Sequence, residues 1–226
     1  HIMFALAKRV VEEIGTGRGL LDFLSSKLEL SVPASRAEAL SDPENPHLLY
    51  DVLGVLKSEL VPRIFELPDE EECIPVSTAV EHMRKLGAVP AYSYLGDITE
   101  SVTGDKRAQT FEDSFLDELF PELVRLGFQA VTYMPPRNTR EQLYRLQSLA
   151  RAQGLMEISG VDVNASRQTF SCPETTDPDF RHLGDAAWAL IEHERAVEEG
   201  KPGLFADGST AGVGKLAERA RERFGA

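Results

Sequence analysis

The sequence predicts an α/β protein in which parallel strands are joined by crossover helices and are preceded by a small helical subdomain. The first third of the chain has apolar residues at helical spacing and no strand-like alternation. After it, an amphipathic helical pattern, a glycine and a short apolar run follow one another three times. Such a succession is typical of parallel strands joined by right-handed crossovers.

The helical subdomain is predicted over residues 1–75. Its first helix is indicated by apolar residues spaced three and four apart, and the glycine-rich segment GTGRG ends it. Pro33, Pro43 and Pro46 mark later breaks between helices, because proline removes a backbone donor and interrupts helical hydrogen bonding.

The α/β part is predicted over residues 76–200, and its three helices end at Gly87, Gly127 and Gly154. The strands that follow them are AVPAYSY, FQAVTYM and LMEISGVDV. A further helical pattern, PDFRHLGDAAWALIEHERAVEEG, is expected to cover the sheet, and residues 201–226 are predicted to form a linker and a charged C-terminal helix. Three parallel strands leave two exposed edges, so either the sheet is open or further strands precede residue 1.

Composition excludes several classes of function. The chain of 226 residues has 37 acidic and 24 basic residues, a formal net charge of −13, which repels nucleic acid and anionic membranes. Cys73 and Cys172 are far apart and form no CxxC motif, which argues against a disulfide scaffold and a structural zinc site. We therefore expect a cytoplasmic protein that binds neither nucleic acid nor membrane.

The loops after the predicted strands are the candidate site, since parallel α/β proteins bind ligands at the carboxyl ends of their strands. Guanidinium groups in these loops suit forked contacts with phosphate or carboxylate, although pairing with acids of the same chain is an equal alternative. The loop asparagines are candidates for holding a substrate or for forming turns. The predicted substrate-binding residues are Tyr94, Arg137, Asn138, Asn164 and Arg167.

Three segments resemble motifs of one known family. In this chain they are GAVPAYSYL (87–95), AVTYMPPRNT (130–139) and SGVDVNA (159–165). They resemble, in the same order and spacing, the motifs GGVPVLAHP, GIEVYxPxHT and GSDFHG of the PHP superfamily (polymerase and histidinol phosphatase). Members of that family are distorted barrels of metal-dependent phosphoesterases. The segment 1–75 is similar to an insertion that many members carry. The resemblance implies the C-terminal half of a PHP/TIM-like distorted barrel.

The chain departs from the family at the metal ligands. Tyr94, Asn138 and Asn164 stand where the resemblance places histidines, the HxH motif is absent, and only the aspartate is kept, as Asp162. The resemblance thus implies Asp162 as a ligand of a divalent metal (manganese, magnesium or zinc), and oxygen donors suit manganese and magnesium better than zinc. The alternative is a strand-end acid that accepts hydrogen bonds from backbone amides or Arg167.

Two functions follow from this resemblance. The first is a metal-dependent phosphoesterase, or the C-terminal segment of one, that acts on a small anionic or phosphorylated molecule. The alternative is a catalytically degenerate binding or regulatory module. The exposed sheet edge also predicts pairing with a second copy or with a separate N-terminal half. His182 and His193 are predicted to be exposed residues of one helix face without a role.

Overall fold

The computed structural model describes residues 2–69, 71–97, 110–160, 163, 166–168 and 171–225. The chain is α/β, with mostly helices and one three-stranded parallel sheet. It divides into two compact units, the first made of residues 1–68, 100–107 and 163–169, and the second of residues 69–99, 108–162 and 170–226. Among the described helices none combines the length and the apolar character needed to cross a membrane.

The secondary structure of the first unit is helical in its described residues, without a strand, as its apolar spacing predicts. Its helices are α1 (Ile2–Ile14), α2 (Arg18–Asp22), α3 (Ala34–Ser41), α4 (Leu48–Val55) and α5 (Val61–Ile64), with π-helical turns at Phe23–Lys27 and Leu56–Leu60. The apolar faces meet in one cluster that includes Ala7, Leu20, Leu24, Leu40, Val52 and Leu56. Each such fully buried leucine stabilises the fold by roughly 1.5–3 kcal/mol.

The second unit alternates helices with strands. It contains α6 (Val76–Lys85), β1 (Ala91–Ser93), α7 (Leu116–Leu126), β2 (Ala130–Tyr133), α8 (Arg140–Gln153), β3 (Met156–Ser159), α9 (His182–Glu198) and α10 (Val213–Phe224), with 3-10 turns at Glu112–Ser114 and Pro173–Thr176. Helices α7 and α8 end at Gly127 and Gly154, whose φ angles of 92° and 68° lie in the left-handed region that favours glycine. The three predicted helix–glycine–strand units are confirmed.

The sheet has the order β1-β2-β3, and both pairings are parallel. All three strands therefore end on the same side of the sheet, at Ser93, Tyr133 and Ser159. We call this side the carboxyl edge. Tyr133 and Ser159 are directly paired across β2 and β3, so their side chains point to the same face.

Helices cover both faces of the sheet. One face packs against α7 and α8 in a cluster that includes Leu116, Phe120, Val131, Tyr133, Leu143 and Leu146. The other face packs against α9 and α10 in a cluster that includes Ala130, Met156, Ala186, Ala189, Leu216 and Ala217. Burial of β2 on both faces explains its continuous apolar run, which is typical of a central parallel strand.

Candidate functional site

Three of the predicted site residues lie at the carboxyl edge. Tyr94 follows β1 directly, and Arg137 and Asn138 lie in the loop between β2 and α8. Asp162 and Asn164, which follow β3 in the sequence, lie outside the described residues. The structure therefore positions three of the predicted residues at this edge.

Tyr94 is buried, and its hydroxyl donates a hydrogen bond to Oδ1 of Asp113 at 2.5 Å. Burial raises the pKa of the Tyr94 phenol, and the hydrogen bond to Asp113 raises that pKa further. The phenol is thus held as a neutral donor to a carboxylate of the protein. Its single proton is not free to orient a ligand.

Asn138 is also buried, and both ends of its amide are used within the protein. Nδ2 donates to the carbonyl oxygen of Leu95 at 2.8 Å, and Oδ1 accepts from the backbone N–H of Met134 at 3.4 Å. Asn138 therefore ties the loop after β1 to the loop after β2. This is a structural bond between strand ends, and both polar atoms of Asn138 already take part in bonds within the protein.

Three carboxylates, those of Asp97, Glu112 and Asp113, accept hydrogen bonds from backbone N–H groups near the end of β1. The sequence pattern did not single out Glu112 and Asp113 as site residues. Glu112 accepts hydrogen bonds from the hydroxyl of Tyr92 at 2.5 Å and from the backbone N–H groups of Leu95 and Gly96 at 3.1 and 2.8 Å. It lines a cavity of about 160 Å³, whose apolar walls include Phe111. Burial raises the pKa of Tyr92, as does the bond to Glu112.

Asp97 and Asp113 bond to each other's backbone. Oδ1 of Asp97 accepts from the N–H of Asp113 at 3.2 Å, and Oδ2 of Asp113 accepts from the N–H of Asp97 at 3.3 Å. Gln142 of α8 donates to the same Oδ2 at 2.7 Å. These hydrogen bonds stabilise the negative charges of Asp97 and Asp113. The dipole of α7 also favours negative charge near its first turn.

Arg137 differs from all of these residues. Its guanidinium makes no hydrogen bond or ion pair with any residue in the described part of the chain, and its Nε atom is buried without a partner. Asp97, Asp105 and Asp162 are the acids with which the sequence allowed Arg137 to pair. Pairing with Asp97 is not found, and Asp97 accepts from the backbone N–H groups of Phe111 and Asp113. Asp105 and Asp162 lie outside the described residues.

Ser159 carries a second orphaned group at the same edge. Its Oγ atom is buried and has no hydrogen-bond partner among the residues that the structure describes. Ser159 is the last residue of β3 and is paired with Tyr133, the last residue of β2. The loop that begins after Tyr133 carries Arg137, so two adjacent strands each bring an unpaired donor to the carboxyl edge.

Arg167, by contrast, belongs to the first unit and is already paired there. Its Nη2 atom donates to Oδ2 of Asp51 at 2.8 Å, and Asn45 accepts a weaker bond at 3.4 Å. Burial alone would raise the pKa of Asp51, but the hydrogen bonds from Arg167 and Asn45 outweigh it and lower the pKa. Internal pairing, one of the two alternatives that the sequence allowed, describes Arg167.

A second polar cluster joins β2, β3 and α9. Oε2 of the buried Glu157 accepts hydrogen bonds from the hydroxyl of Tyr133 at 2.8 Å and from Nε2 of His182 at 2.9 Å. Gln147 of α8 donates to the Tyr133 hydroxyl at 3.2 Å. The sequence did not single out Glu157, although an acid inside an apolar strand is itself a signal of a buried partner.

The prediction that His182 and His193 are exposed residues without a role is wrong. His182 is partly buried and bonds to Glu157, as described above. His193 is partly buried as well, with Nε2 bonded to the carbonyl oxygen of Gly87 at 2.8 Å and Nδ1 accepting from the N–H of Leu204 at 2.9 Å. Both ring nitrogens of His193 are thus used to connect elements of the second unit.

The described residues do not fit a metal ion. Over the part of the chain that the structure describes, no group of three or more histidine, cysteine, aspartate or glutamate side chains is arranged to hold one. Tyr94 and Asn138, two of the three residues that the sequence resemblance places at histidine positions, use their polar atoms in bonds within the protein. The implied ligand Asp162 lies outside the described residues.

Comparison of the chain with protein-family models, with curated proteins and with solved structures finds no significant match.

Proposed function

We propose that this chain is a binding module that takes a small phosphorylated or otherwise anionic molecule at the carboxyl edge of its sheet. The observation that carries the proposal is a pair of buried donors, Nε of Arg137 and Oγ of Ser159, for which the described residues provide no hydrogen-bond partner. Leaving a buried donor unsatisfied costs roughly 1–3 kcal/mol. A ligand that accepts hydrogen bonds from both groups removes this penalty.

The chemistry of the two donors favours an anion. A guanidinium group is permanently charged and offers a planar fork that matches two oxygens of a phosphate or carboxylate. The hydroxyl of Ser159 adds one more donor from the neighbouring strand. In a chain whose net charge is −13, a partly buried arginine with no described acidic partner is unusual and needs a negative charge from elsewhere.

We also propose that the scaffold is PHP-like, with these three strands forming part of a distorted barrel. The parallel order β1-β2-β3 and the common carboxyl edge support this proposal, because the three resembling motifs contain β1, begin with β2 and begin at the last residue of β3. Among the two functions that the resemblance implies, the bonds made by Tyr94 and Asn138 favour the catalytically degenerate module, since both residues stabilise loops where the family has metal ligands.

Phosphate binding tests the proposal directly. In isothermal titration calorimetry with inorganic phosphate, we expect binding to the wild-type chain and a dissociation constant at least tenfold higher for Arg137→Ala. Arg137→Lys keeps the charge but loses the fork, so an intermediate loss is expected. Ser159→Ala is expected to weaken binding several-fold.

Arg125→Ala is the matched control, because Arg125 lies on the surface of α7 and is paired with Glu122. This variant should bind phosphate like the wild type. Equal affinity of the Arg137→Ala variant and the wild type, with both chains folded by circular dichroism, would reject the proposal. So would the absence of any binding to the wild type.

Phosphoester hydrolysis is the second candidate. It is favoured by Asp162, which keeps the aspartate of the resembling motif in the segment that follows β3. Incubation with manganese and a generic phosphate ester discriminates the two functions. The binding module predicts no turnover, whereas turnover that Asp162→Ala abolishes would establish the hydrolase and overturn the assignment as a module without chemistry.

A further inference from the structure

Helix α6 carries an apolar seam that nothing in the described structure covers. The seam consists of Val76, Ala79, Met83 and Leu86, spaced three, four and three residues apart. Val76 is 52% exposed, Met83 is 36% exposed and Leu86, the residue after the helix, is 80% exposed. This spacing is the a/d pattern of helices that pack against one another in pairs.

The seam is not explained by the way in which α6 packs on its own unit. The only residue of α6 that is buried among those described is Val80, which lies to one side of the seam. Single exposed apolar residues are ordinary on protein surfaces, but a continuous row of them on one helix marks an interaction site. Ile74, which lies just before the helix, is exposed as well.

The charges at the two ends of α6 are opposite. Asp69, Glu71 and Glu72 precede the helix, whereas its last turn carries Arg84 and Lys85, of which Lys85 is also ion-paired with Glu81 of the same helix. Two copies of α6 packed antiparallel about a two-fold axis bring the acidic end of each helix towards the basic end of the other. A parallel pair would bring like charges together, which is unfavourable.

We propose that α6 is the dimer contact of this protein and that its partner is α6 of a second copy, packed antiparallel. In this isologous arrangement Val76 lies opposite Leu86 of the partner subunit, and Ala79 lies opposite Met83 of the partner subunit. The small side chain of Ala79 lets the two helices approach closely. A helix of ten residues spans about 15 Å, so the contact is small and the association is of the weak, concentration-dependent class.

Analytical ultracentrifugation over low-micromolar to millimolar concentration tests the dimer. We expect a monomer–dimer equilibrium for the wild type and a monomer at every concentration for Leu86→Asp and Met83→Asp, because each places two carboxylates in the apolar contact. Ile191→Asp is the control, since Ile191 is exposed on α9, away from the seam in sequence. It should dimerise like the wild type.

Disulfide trapping tests the antiparallel register. In a chain with Cys73 and Cys172 replaced by serine, the double variant Ala79→Cys, Met83→Cys should form a covalent dimer on mild oxidation. Either single variant should remain largely uncrosslinked, because like positions are offset along the two helices.

A wild-type chain that is monomeric throughout the concentration range would overturn the proposal. The partner of the seam would then be a different polypeptide. Dimerisation that persists in both Leu86→Asp and Met83→Asp would overturn it as well. Neither result bears on phosphate binding at the carboxyl edge, which is measured separately.

Discussion

Glu157 accepts a hydrogen bond from Nε2 of His182 at 2.9 Å, and this bond ties the first residue of α9 to an inner residue of β3. Because an ionised carboxylate only accepts, Nε2 carries the proton in this arrangement. Burial alone would raise the pKa of Glu157, but the hydrogen bonds from His182 and Tyr133 outweigh it and hold the pKa below its ordinary value.

Acid should therefore remove stability that Glu157 provides. Its folded-state pKa lies below that of the unfolded chain, so its contribution is complete above about pH 4.3 and is lost as the pH falls through the folded pKa. At pH 7 we expect Glu157→Gln to lower the free energy of unfolding by roughly 1–3 kcal/mol. Urea unfolding over a pH series should show this difference shrinking in acid. Glu118→Gln, on the exposed side of α7, should change little at any pH.

Alkaline pH should destabilise the second unit through its buried tyrosines. The pKa values of Tyr92, Tyr94 and Tyr133 are raised, first by burial and also by neighbouring carboxylates. In the unfolded chain these phenols lose their protons at about pH 10, whereas in the folded chain they keep them. Above about pH 10, each tyrosine therefore lowers the free energy of unfolding by up to about 1.4 kcal/mol per pH unit. We expect Tyr94→Phe to reduce the slope of unfolding free energy against pH, measured by urea unfolding. An unchanged slope, relative to the exposed control Tyr144→Phe, would contradict this account.

Gly96→Ala should be destabilising for two separable reasons. Gly96 has a φ of 72°, and an added Cβ would lie 2.6 Å from Nδ2 of Asn138 and 2.7 Å from the hydroxyl of Tyr94. Gly154 has a similar φ of 68° but no atom within 4 Å of such a Cβ. Gly154→Ala therefore measures backbone strain alone, roughly 1 kcal/mol. Thermal unfolding should place Gly96→Ala clearly below Gly154→Ala, and equal losses would show that the loop relaxes around the methyl group.

Thr139→Ala should weaken the start of α8. Oγ of Thr139 accepts from the N–H of Gln142 at 3.3 Å, and Oε1 of Gln142 accepts from the N–H of Thr139 at 2.9 Å, which together form a capping box. Loss of such a cap costs about 1 kcal/mol. Hydrogen exchange of the first amides of α8 should accelerate in Thr139→Ala. Thr139→Ser retains the oxygen and should exchange like the wild type.

The sequence was sufficient to predict the elements of the second unit because local chemistry determines them. Helical periodicity located α7 and α8, and Gly127 and Gly154 end these helices since only glycine readily adopts their positive φ. The strands are shorter than predicted, and β3 ends at Ser159 instead of continuing to residue 163. An apolar run shows that a strand is present, but the length of the paired region depends on its neighbours, here a β1 of three residues.

The polar networks could not be predicted in the same way. Tyr92 and Glu112 are separated by 20 positions, and Glu157 and His182 by 25, so their contacts arise only when the sheet and helices have packed. The sequence did identify Arg137 as a guanidinium at a strand end. It could not show that Arg137 lacks a partner among the described residues while Arg167 is bonded to Asp51, because that distinction depends on three-dimensional neighbours.

The order of the sheet follows the order of the chain, and this has a consequence for how the protein folds. To complete the sheet, an unfolded chain has to close the segments between β1 and β2 and between β2 and β3, in which the described residues form the long helices α7 and α8. Closing loops of this length keeps the entropic barrier modest. During translation the pairing of β1 with β2 is therefore able to form before the ribosome has released β3, and that pair then serves as the template onto which the last strand docks.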